Sequence, residues 1–178
     1  MLDLFSGTGG ASRAFREAGW EVVTVDNDPQ HAPEVLADVR RWSWVGDRPE
    51  LVWASPPCQE FSRTAMPWCR AKGPAEPSLE LVEAALRVVR ETEPHYWVLE
   101  NVRGAVPYLR PLLGEPRVVA GPFHLWGYFP PFRLELPPFK ERLGSRDVVK
   151  RAAVPYELSR ALLAAVVGQT ELPLDACG

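Results

Sequence analysis

The most informative segment of this sequence is Asp3-Leu4-Phe5-Ser6-Gly7-Thr8-Gly9-Gly10, which joins a predicted strand at residues 2–5 to a predicted helix at residues 10–18. Glycines at such a junction let the backbone approach a ligand, and the first turn of a helix offers free N–H groups. A dinucleotide-binding loop would carry a further glycine at position 12, where this chain has Ser12. The segment therefore favours a nucleoside ligand, with a tight turn that binds nothing as the alternative.

Two acidic residues downstream are candidates for holding that nucleoside. Asp26 follows Gly7 by 19 positions and ends the next predicted strand, where a carboxylate can accept hydrogen bonds from ribose hydroxyls. Asp38, in Ala37-Asp38-Val39, is the candidate partner of an adenine amino group.

Short β-rich runs alternate with helical segments, a pattern typical of an α/β fold with a largely parallel sheet. Strands are predicted at residues 2–5, 21–25, 51–54 and 96–99, and helices at 10–18, 78–93 and 155–167. Gly19 is expected at a helix C-cap, and Ser78 is expected to cap the second helix. That helix should bury Leu79, Val82, Leu86 and Val89 on one face. Residues 121–139, rich in proline and aromatic side chains, are expected to form an irregular surface. We expect a single domain over residues 1–178.

The composition is that of a soluble globular protein, with 46% hydrophobic and 24% charged residues. The longest apolar run, residues 161–167, is too short to cross a membrane, and the N-terminus lacks the pattern of a signal peptide. Three cysteines are too few for a disulfide framework, and no CxxC pair suggests a metal site. We therefore expect a cytoplasmic protein without a metal or a membrane partner.

The net charge of −3 is unevenly distributed. Residues 1–102 carry 10 basic and 16 acidic side chains, whereas residues 103–160 carry 10 basic and 5 acidic ones. A locally positive half is consistent with contacts to nucleic-acid phosphates. A solvated surface without a partner is the alternative explanation.

Polar or reactive residues follow three of the predicted strands. Asp26, Cys58 and Glu100 are each expected just past a strand end, the edge at which open α/β sheets bind ligands. Pro56 and Pro57 stiffen the backbone before Cys58, as suits a thiol that must be held rigidly. A buried structural cysteine and a charge at a helix start are the alternatives for Cys58 and Glu100.

A thiol paired with a carboxyl group suits conjugate addition to a pyrimidine. The thiolate adds to C6 of cytosine while the carboxyl group interacts with N3, so that charge does not accumulate on the ring. The enamine carbon C5 can then attack a methyl sulfonium. A glutamate near an apolar strand end can have its pKa raised enough to share the proton with N3.

Three segments in order resemble the DNA cytosine-C5 methyltransferases. Residues 3–10 resemble the cofactor loop of that family, Pro56-Pro57-Cys58-Gln59 its nucleophile motif, and Glu100-Asn101-Val102 its Glu-Asn-Val motif. The resemblance covers residues 1 to about 105. It implies a Rossmann-like methyltransferase fold, S-adenosyl-L-methionine as methyl donor, and duplex DNA from which the cytosine is flipped out.

The resemblance also implies roles for individual residues. Cys58 and Glu100 would be catalytic, Phe5 would pack on the adenine, Asp26 would bind the ribose, and Pro57 would orient the base. A mobile loop over residues 63–72 would close on the DNA. The expected cofactor contacts are Asp3, Phe5, Ser6, Gly7, Thr8, Gly9, Gly10, Asp26, Asn27, Asp38, Val39 and Pro56. The expected substrate contacts are Pro57, Gln59, Ser62, Arg63, Arg70, Arg103 and Arg133.

The chain departs from the family in its second half. Residues 154–159 resemble the last family motif, but the usual Arg-x-Arg motif is missing, which leaves Arg133 as the candidate for base contact. Residues after 105 leave no room for a separate target-recognition domain, so we expect low or unusual sequence specificity. A homodimer or a partner protein could add specificity. Alternatives are a C5 methyltransferase of RNA or free nucleotides and a catalytically idle nucleoside-binding subunit.

Overall fold

The computed structural model describes residues 1–65, 76–136 and 153–170 of the 178-residue chain. Its described strands form one sheet in the order β3-β2-β1-β4-β5-β7-β6. The first five strands in this order are parallel, and β7 is antiparallel to both of its neighbours. The bounds are β1 Leu2–Leu4, β2 Val23–Asp26, β3 Val35–Leu36, β4 Leu51–Ala54, β5 Tyr96–Val102, β6 Val118–Ala120 and β7 Phe123–Tyr128. The predicted α/β class with a mostly parallel sheet is confirmed.

Helices cover both faces of the sheet. They are α1 Arg13–Glu17, α2 Gln59–Ala65, α3 Glu80–Thr92, α4 Val106–Leu113 and α5 Tyr156–Thr170, with 3-10 turns at Pro29–His31 and Arg103–Ala105. Phe15 of α1 and Leu158 of α5 belong to one buried cluster. Val88 of α3 and Leu109 of α4 belong to the other. The core therefore has two layers, one on each side of the sheet.

Strand β4 shows why the sheet lies in the middle. Its alternate residues point to opposite faces, so Leu51 and Trp53 enter one cluster while Val52 and Ala54 enter the other. All four are at most 1% exposed. A continuous apolar run is what a parallel strand covered on both faces requires.

The segment of residues 5–12 between β1 and α1, called the Gly loop below, makes the first helix begin later than predicted. Residues 7–12 form turns, so α1 begins at Arg13 rather than at residue 10 as predicted. Three residues of this loop have positive φ, namely Phe5 at 57°, Gly7 at 50° and Gly9 at 74°. Gly19, with φ of 83°, donates its N–H to the carbonyl of Arg16 and ends α1 as expected.

Helix α3 lies where it was predicted, with a rotated buried face. Its buried residues are Val82, Ala84, Ala85, Val88 and Thr92, whereas Leu79, Leu86 and Val89 are partly buried at the edge of the same cluster. The small residues Ala84 and Ala85 thus belong to the buried face. Ser78 accepts a hydrogen bond from the Glu80 N–H at 3.2 Å, although Leu79 is the N-cap residue.

Two expectations about the second half of the chain were wrong. Residues 123–128, expected within an irregular surface, form the buried strand β7. Strand β5 continues to Val102 because β7 pairs with it, so Glu100 lies inside the strand opposite Leu125 and not past its end. The terminal helix α5 lies close to its predicted position, with Pro155 immediately before it.

Among the described residues, no helix has the length and apolar character needed to span a bilayer.

Candidate active site

The Gly loop is fastened to β2 through Asp26. The Asp26 carboxylate accepts hydrogen bonds from the Gly7 N–H at 2.8 Å and from the Asp28 N–H at 2.9 Å. The Nδ1 atom of His31 lies 3.4 Å from its Oδ1 atom. Asp26 is only 7% exposed. Its first structural role is therefore to hold the loop at the carboxyl end of the sheet, the edge where ligands bind in such folds.

A cavity of about 440 Å³ opens beside this loop. Seven of the residues expected to contact the cofactor or the substrate line it, namely Phe5, Asn27, Asp38, Val39, Pro56, Pro57 and Gln59. Phe61 and Leu81 add apolar walls, and of these two the sequence did not single out Leu81. An apolar cleft with a few polar groups at its rim is typical of a small-molecule site.

The remaining loop residues face a second, more open cavity of about 670 Å³. Ser6, Gly7, Thr8, Gly9 and Gly10 line it together with residues at the start of α5. A Cβ atom on Gly10 would lie 2.3 Å from the carbonyl oxygen of Val154, so only glycine permits this approach. Ser159 of α5 donates to the Ala11 carbonyl at 2.6 Å and fixes the contact. Asp3 and Asp26 line neither of the two cavities.

Asp38 is not free at the cavity rim. The Nη2 atom of Arg40 donates to Asp38 Oδ2 at 2.6 Å, and its Nη1 atom donates to Glu80 Oε2 at 3.2 Å. The bond from Arg40 lowers the pKa of the Asp38 carboxyl. Asp38 is therefore an ionised acceptor, and Arg40 links it to Glu80 at the start of α3.

Asp3 is buried under the Gly loop. It is 1% exposed and occupies the middle of β1. Neither carboxyl oxygen has a hydrogen-bond partner among the described residues, and burial raises the pKa of Asp3 to about 7, an effect that the nearby Ser12 hydroxyl only partly offsets.

The Cys58 segment follows β4 and is fixed from two sides. The Asn101 side chain on β5 donates from Nδ2 to the Pro56 carbonyl at 3.1 Å and is itself fully buried. The Ser62 N–H donates to the Cys58 carbonyl at 2.9 Å. Pro56 is buried, Cys58 is half-buried, and Pro57 and Gln59 are exposed. The thiol is thus held by buried groups and bordered by exposed ones.

The Cys58 thiol is close enough to Glu100 to respond to its charge. Burial raises the pKa of Cys58, the negative charge of Glu100 raises it further, and a hydrogen bond from the Ser62 hydroxyl lowers it. A thiol in this environment is protonated at neutral pH in the free protein.

Glu100 is buried within β5 beside this thiol. It is 7% exposed, and burial raises its pKa to about 7, against the opposing effect of a hydrogen bond from Ser55. A carboxyl group with such a pKa can donate a proton near neutral pH. The expected pair of thiol and carboxyl group therefore lies at one edge of the sheet, next to the 440 Å³ cavity that Pro56 and Pro57 line.

Two of the other expected DNA contacts lie on the surface of the described residues. Arg103, in the 3-10 turn after β5, and Arg133, beyond β7, are both exposed. The side chain of Arg63, all of Arg70 and most of the expected loop at residues 63–72 lie outside the described residues.

Sequence reasoning missed Ser55, Arg40 and Leu81. Ser55 and Arg40 neighbour predicted site residues along the chain, which is the one signal that could have singled them out. Leu81 follows the apolar pattern of α3 and carries no local signal of a ligand site. Asn101 was part of a recognised motif, but its bond to Pro56 crosses between strands that only the sheet brings together.

Comparisons with known proteins point to one family. The sequence model of the C-5 cytosine-specific DNA methylases matches residues 1–108. The type II methyltransferase M.XorII of Xanthomonas oryzae pv. oryzae is 33% identical over 123 residues, covering 58% of this chain and 28% of that protein. M.SacI of Streptomyces achromogenes is 38% identical over 89 residues, covering 49% of this chain and 22% of that protein. M.HgiGI of Herpetosiphon aurantiacus is 31% identical over 124 residues, covering 58% of this chain and 90% of that protein.

A solved structure shares the fold. A prophage-encoded protein of E. coli described as a DNA modification methyltransferase superposes with a TM-score of 0.50 at 18% identity, covering 83% of this chain and 55% of that one. The chain spans about a quarter of the length of M.XorII and of M.SacI. The family match extends over more than half of the chain and includes the Gly loop, Cys58 and Glu100. This chain belongs to the family of C-5 cytosine-specific DNA methylases.

Proposed function

We propose that this chain transfers a methyl group from S-adenosyl-L-methionine to C5 of cytosine in DNA through a covalent adduct with Cys58. The observation that carries this proposal is the pairing of Cys58 with the buried acid Glu100, whose charge raises the pKa of the thiol, beside a cavity of nucleoside size. A cysteine that only fills the core would not require a carboxyl group beside it, and a carboxylate that only adds solubility would lie on the surface.

The cavity suits the adenosyl group. Phe5, Leu81 and Pro56 supply apolar surface for a purine, while Asp38 and Asn27 supply polar groups at the rim. Asp26 does not itself line the cavity, but its neighbour Asn27 does, and the Asp26 carboxylate retains acceptor capacity beyond its bonds from Gly7 and Asp28, since a carboxylate accepts about four hydrogen bonds. Asp26 is therefore the proposed ribose contact. When bound, S-adenosyl-L-methionine supplies an electrophilic methyl group on sulfonium.

Glu100 and Cys58 then divide the work of activating cytosine. A protonated Glu100 donates its proton to N3 as the Cys58 sulfur bonds to C6, and the ring electrons move to C5. A neutral Glu100 carboxyl no longer raises the pKa of the thiol, so protonation of Glu100 favours the Cys58 thiolate. After C5 gains the methyl group, which leaves a neutral thioether behind, a base removes the C5 proton, the bond between Cys58 and C6 breaks to release the thiolate, and N3 returns its proton to Glu100.

Covalent trapping tests the reaction directly. A duplex containing 5-fluorocytosine should form a stable adduct with the protein in the presence of S-adenosyl-L-methionine, because fluorine at C5 blocks the elimination. Cys58→Ser should abolish the adduct, whereas Cys177→Ser, a matched change at another thiol, should not. An adduct that survives Cys58→Ser would refute the assignment.

The substrate is tested by offering alternatives side by side. Tritiated methyl transfer to duplex DNA, tRNA and dCMP should be fastest with DNA. Transfer confined to tRNA or dCMP would move the proposal to RNA or nucleotides. Cofactor binding without transfer to any of them would identify a nucleoside-binding subunit. We further propose that the 178 residues act as one catalytic domain with weak sequence specificity, unless a second copy or a partner adds to it.

A further inference from the structure

The register of β4 and β5 brings a serine beside the buried acid. These strands are parallel, with Trp53 opposite Val98 and Ala54 opposite Leu99. The next step of the same register sets Ser55 opposite Glu100. Side chains alternate along a strand, so Ser55 shares the face of Trp53, and Glu100 shares the face of Val98. Trp53 and Val98 belong to the same buried cluster, so Ser55 and Glu100 lie on one face of the sheet.

The hydrogen bonds of Ser55 have a fixed direction. The indole N–H of Trp53, a group that can only donate, donates to Ser55 Oγ at 2.7 Å. The Ser55 hydroxyl proton is then left for another acceptor, and the strand pairing puts the Glu100 carboxyl opposite Ser55 on the same face of the sheet. The Ser55 hydroxyl lowers the pKa of Glu100, as a donor to the ionised carboxyl does. The Ser55 N–H donates to the Leu4 carbonyl at 3.1 Å, which fixes the backbone.

We propose that Trp53 and Ser55 are positioning residues that orient the acid Glu100 through a directed chain of hydrogen bonds, Trp53 to Ser55 to Glu100. Ser55 holds one carboxyl oxygen as an acceptor, so the proton resides on the other oxygen, where it can be donated to N3 of the cytosine. The inference rests on the proposed methyl transfer, and it assigns to Ser55 and Trp53 a role that neither was expected to have.

Infrared spectroscopy measures the chain without any turnover. The carboxyl stretch of Glu100 can be isolated in a pH titration of the free protein by subtracting the spectrum of Glu100→Gln. Ser55→Ala should move the midpoint of this titration to higher pH, because the ionised carboxyl loses a donor. Ser55→Thr, which keeps the hydroxyl, should restore it. Trp53→Phe should alter it in the same direction as Ser55→Ala.

A second tryptophan provides the control. Trp126 is as buried as Trp53, and its indole N–H donates to the Gly114 carbonyl at 3.1 Å. The variant Trp126→Phe therefore also removes one indole hydrogen bond from the core. That variant should leave the Glu100 titration unchanged. An equal shift in Trp126→Phe would show that a loosened core, and not the chain, moves Glu100.

Kinetics complete the test. Ser55→Ala should lower kcat by about 10- to 100-fold, the loss expected for one hydrogen bond to a charged group, with little change in KM. Unchanged titration and unchanged kcat in Ser55→Ala would overturn the proposal, as would a rise in KM alone. An inactive wild-type protein would refute the proposed function, but the infrared midpoints would still decide whether Ser55 and Trp53 act on Glu100.

Discussion

The Asp3 carboxyl group is buried, an environment that favours its neutral form over its ionised form. Its pKa is raised from an ordinary value near 3.8 to about 7 by burial. Between these values the folded protein binds a proton that the unfolded chain does not, so stability falls as pH rises from 3.8 to about 7 and then levels off. The difference corresponds to about 4 kcal/mol at most, fully expressed above pH 8.

Replacing Asp3 should remove this pH dependence. Without ligand, the wild-type protein should lose stability between pH 5 and pH 8, and Asp3→Asn should lose less over the same range. Urea denaturation at the two pH values measures the difference. Asp47→Asn, at an exposed carboxyl, is the control and should follow the wild type. Parallel loss in Asp3→Asn and the wild type would show that Asp3 ionises without cost.

The Cys58 thiol should react slowly with alkylating reagents. Burial and the Glu100 charge both raise its pKa, so little thiolate exists near pH 7.5 in the free protein. Glu100→Gln removes the charge and should make carbamidomethylation of Cys58 by iodoacetamide several times faster at that pH. Peptide mass spectrometry separates Cys58 from Cys69 and Cys177. Equal rates in the two proteins would show that Glu100 does not act on the thiol.

At the residue scale, candidate site residues could be predicted from the sequence wherever a residue type and its neighbours along the chain indicate a chemistry. Cys58 after two prolines, Glu100 before Asn101 and the glycines of the loop are such cases. Ser55 is different, because its partners Trp53 and Glu100 are defined by strand pairing and by the alternation of side chains. No property of Ser-Pro-Pro-Cys in the sequence reports that a buried indole donates to the serine.

At the element scale, the antiparallel strand β7 fixes the position of the acid. Gly127 of β7 lies opposite Val98 and has φ of 131°. A Cβ atom there would lie 2.1 Å from the Trp97 carbonyl oxygen. The close contact between β5 and β7 therefore needs glycine at this position.

Gly127→Ala should destabilise the protein by at least about 1–3 kcal/mol, the cost of a disfavoured backbone conformation. Gly168→Ala is the matched control, since its added Cβ meets open space in α5 and should stabilise slightly through helix propensity. Urea midpoints of both variants measure the contrast. A Gly127→Ala midpoint equal to that of the wild type would mean that β7 can shift without loss.

Three different features explain why strands β7, β3 and β5 were missed or predicted too short. Strand β7 is bordered by Pro122 and Pro130, and the proline content of residues 121–139 hid four consecutive buried residues, Phe123 to Trp126. Strand β3 has only two residues, too few for any periodic pattern. Strand β5 was predicted too short because its last three residues are paired by β7, a partner that had not been predicted.

At the scale of the whole molecule, the order of strands explains why Cys58 and Glu100, 42 positions apart along the chain, lie near each other. Strand β4 leads to Cys58, and its neighbour β5 carries Glu100, while β1 on the other side of β4 leads to the Gly loop. The Gly loop, the proposed nucleophile Cys58 and the proposed acid Glu100 thus come from three adjacent strands in the centre of the sheet. The family motifs predicted this grouping, but the pairing that holds it together required the structure.

The same scale sets an expectation for sequence specificity. Base pairs are read by side chains that reach base edges, and phosphate contacts only position the protein. Residues 129–155 join β7 to α5 and carry six basic side chains, Arg133, Lys140, Arg142, Arg146, Lys150 and Arg151, of which only Arg133 lies within the described residues. So short a connection suits a phosphate-binding flank better than a separate reading module.

We therefore predict that the 178-residue chain alone methylates cytosines with a preference of one or two neighbouring bases. Each base pair read correctly contributes about 1–3 kcal/mol, so a site of four base pairs would need several side chains at base edges. Binding should weaken steeply with salt, because phosphate contacts dominate it. Bisulfite sequencing of a mixed-sequence DNA treated with the purified chain measures the preference, with Cys58→Ser as the blank. Methylation confined to one site of four or more base pairs would contradict the prediction and identify residues 129–155 as a compact reader.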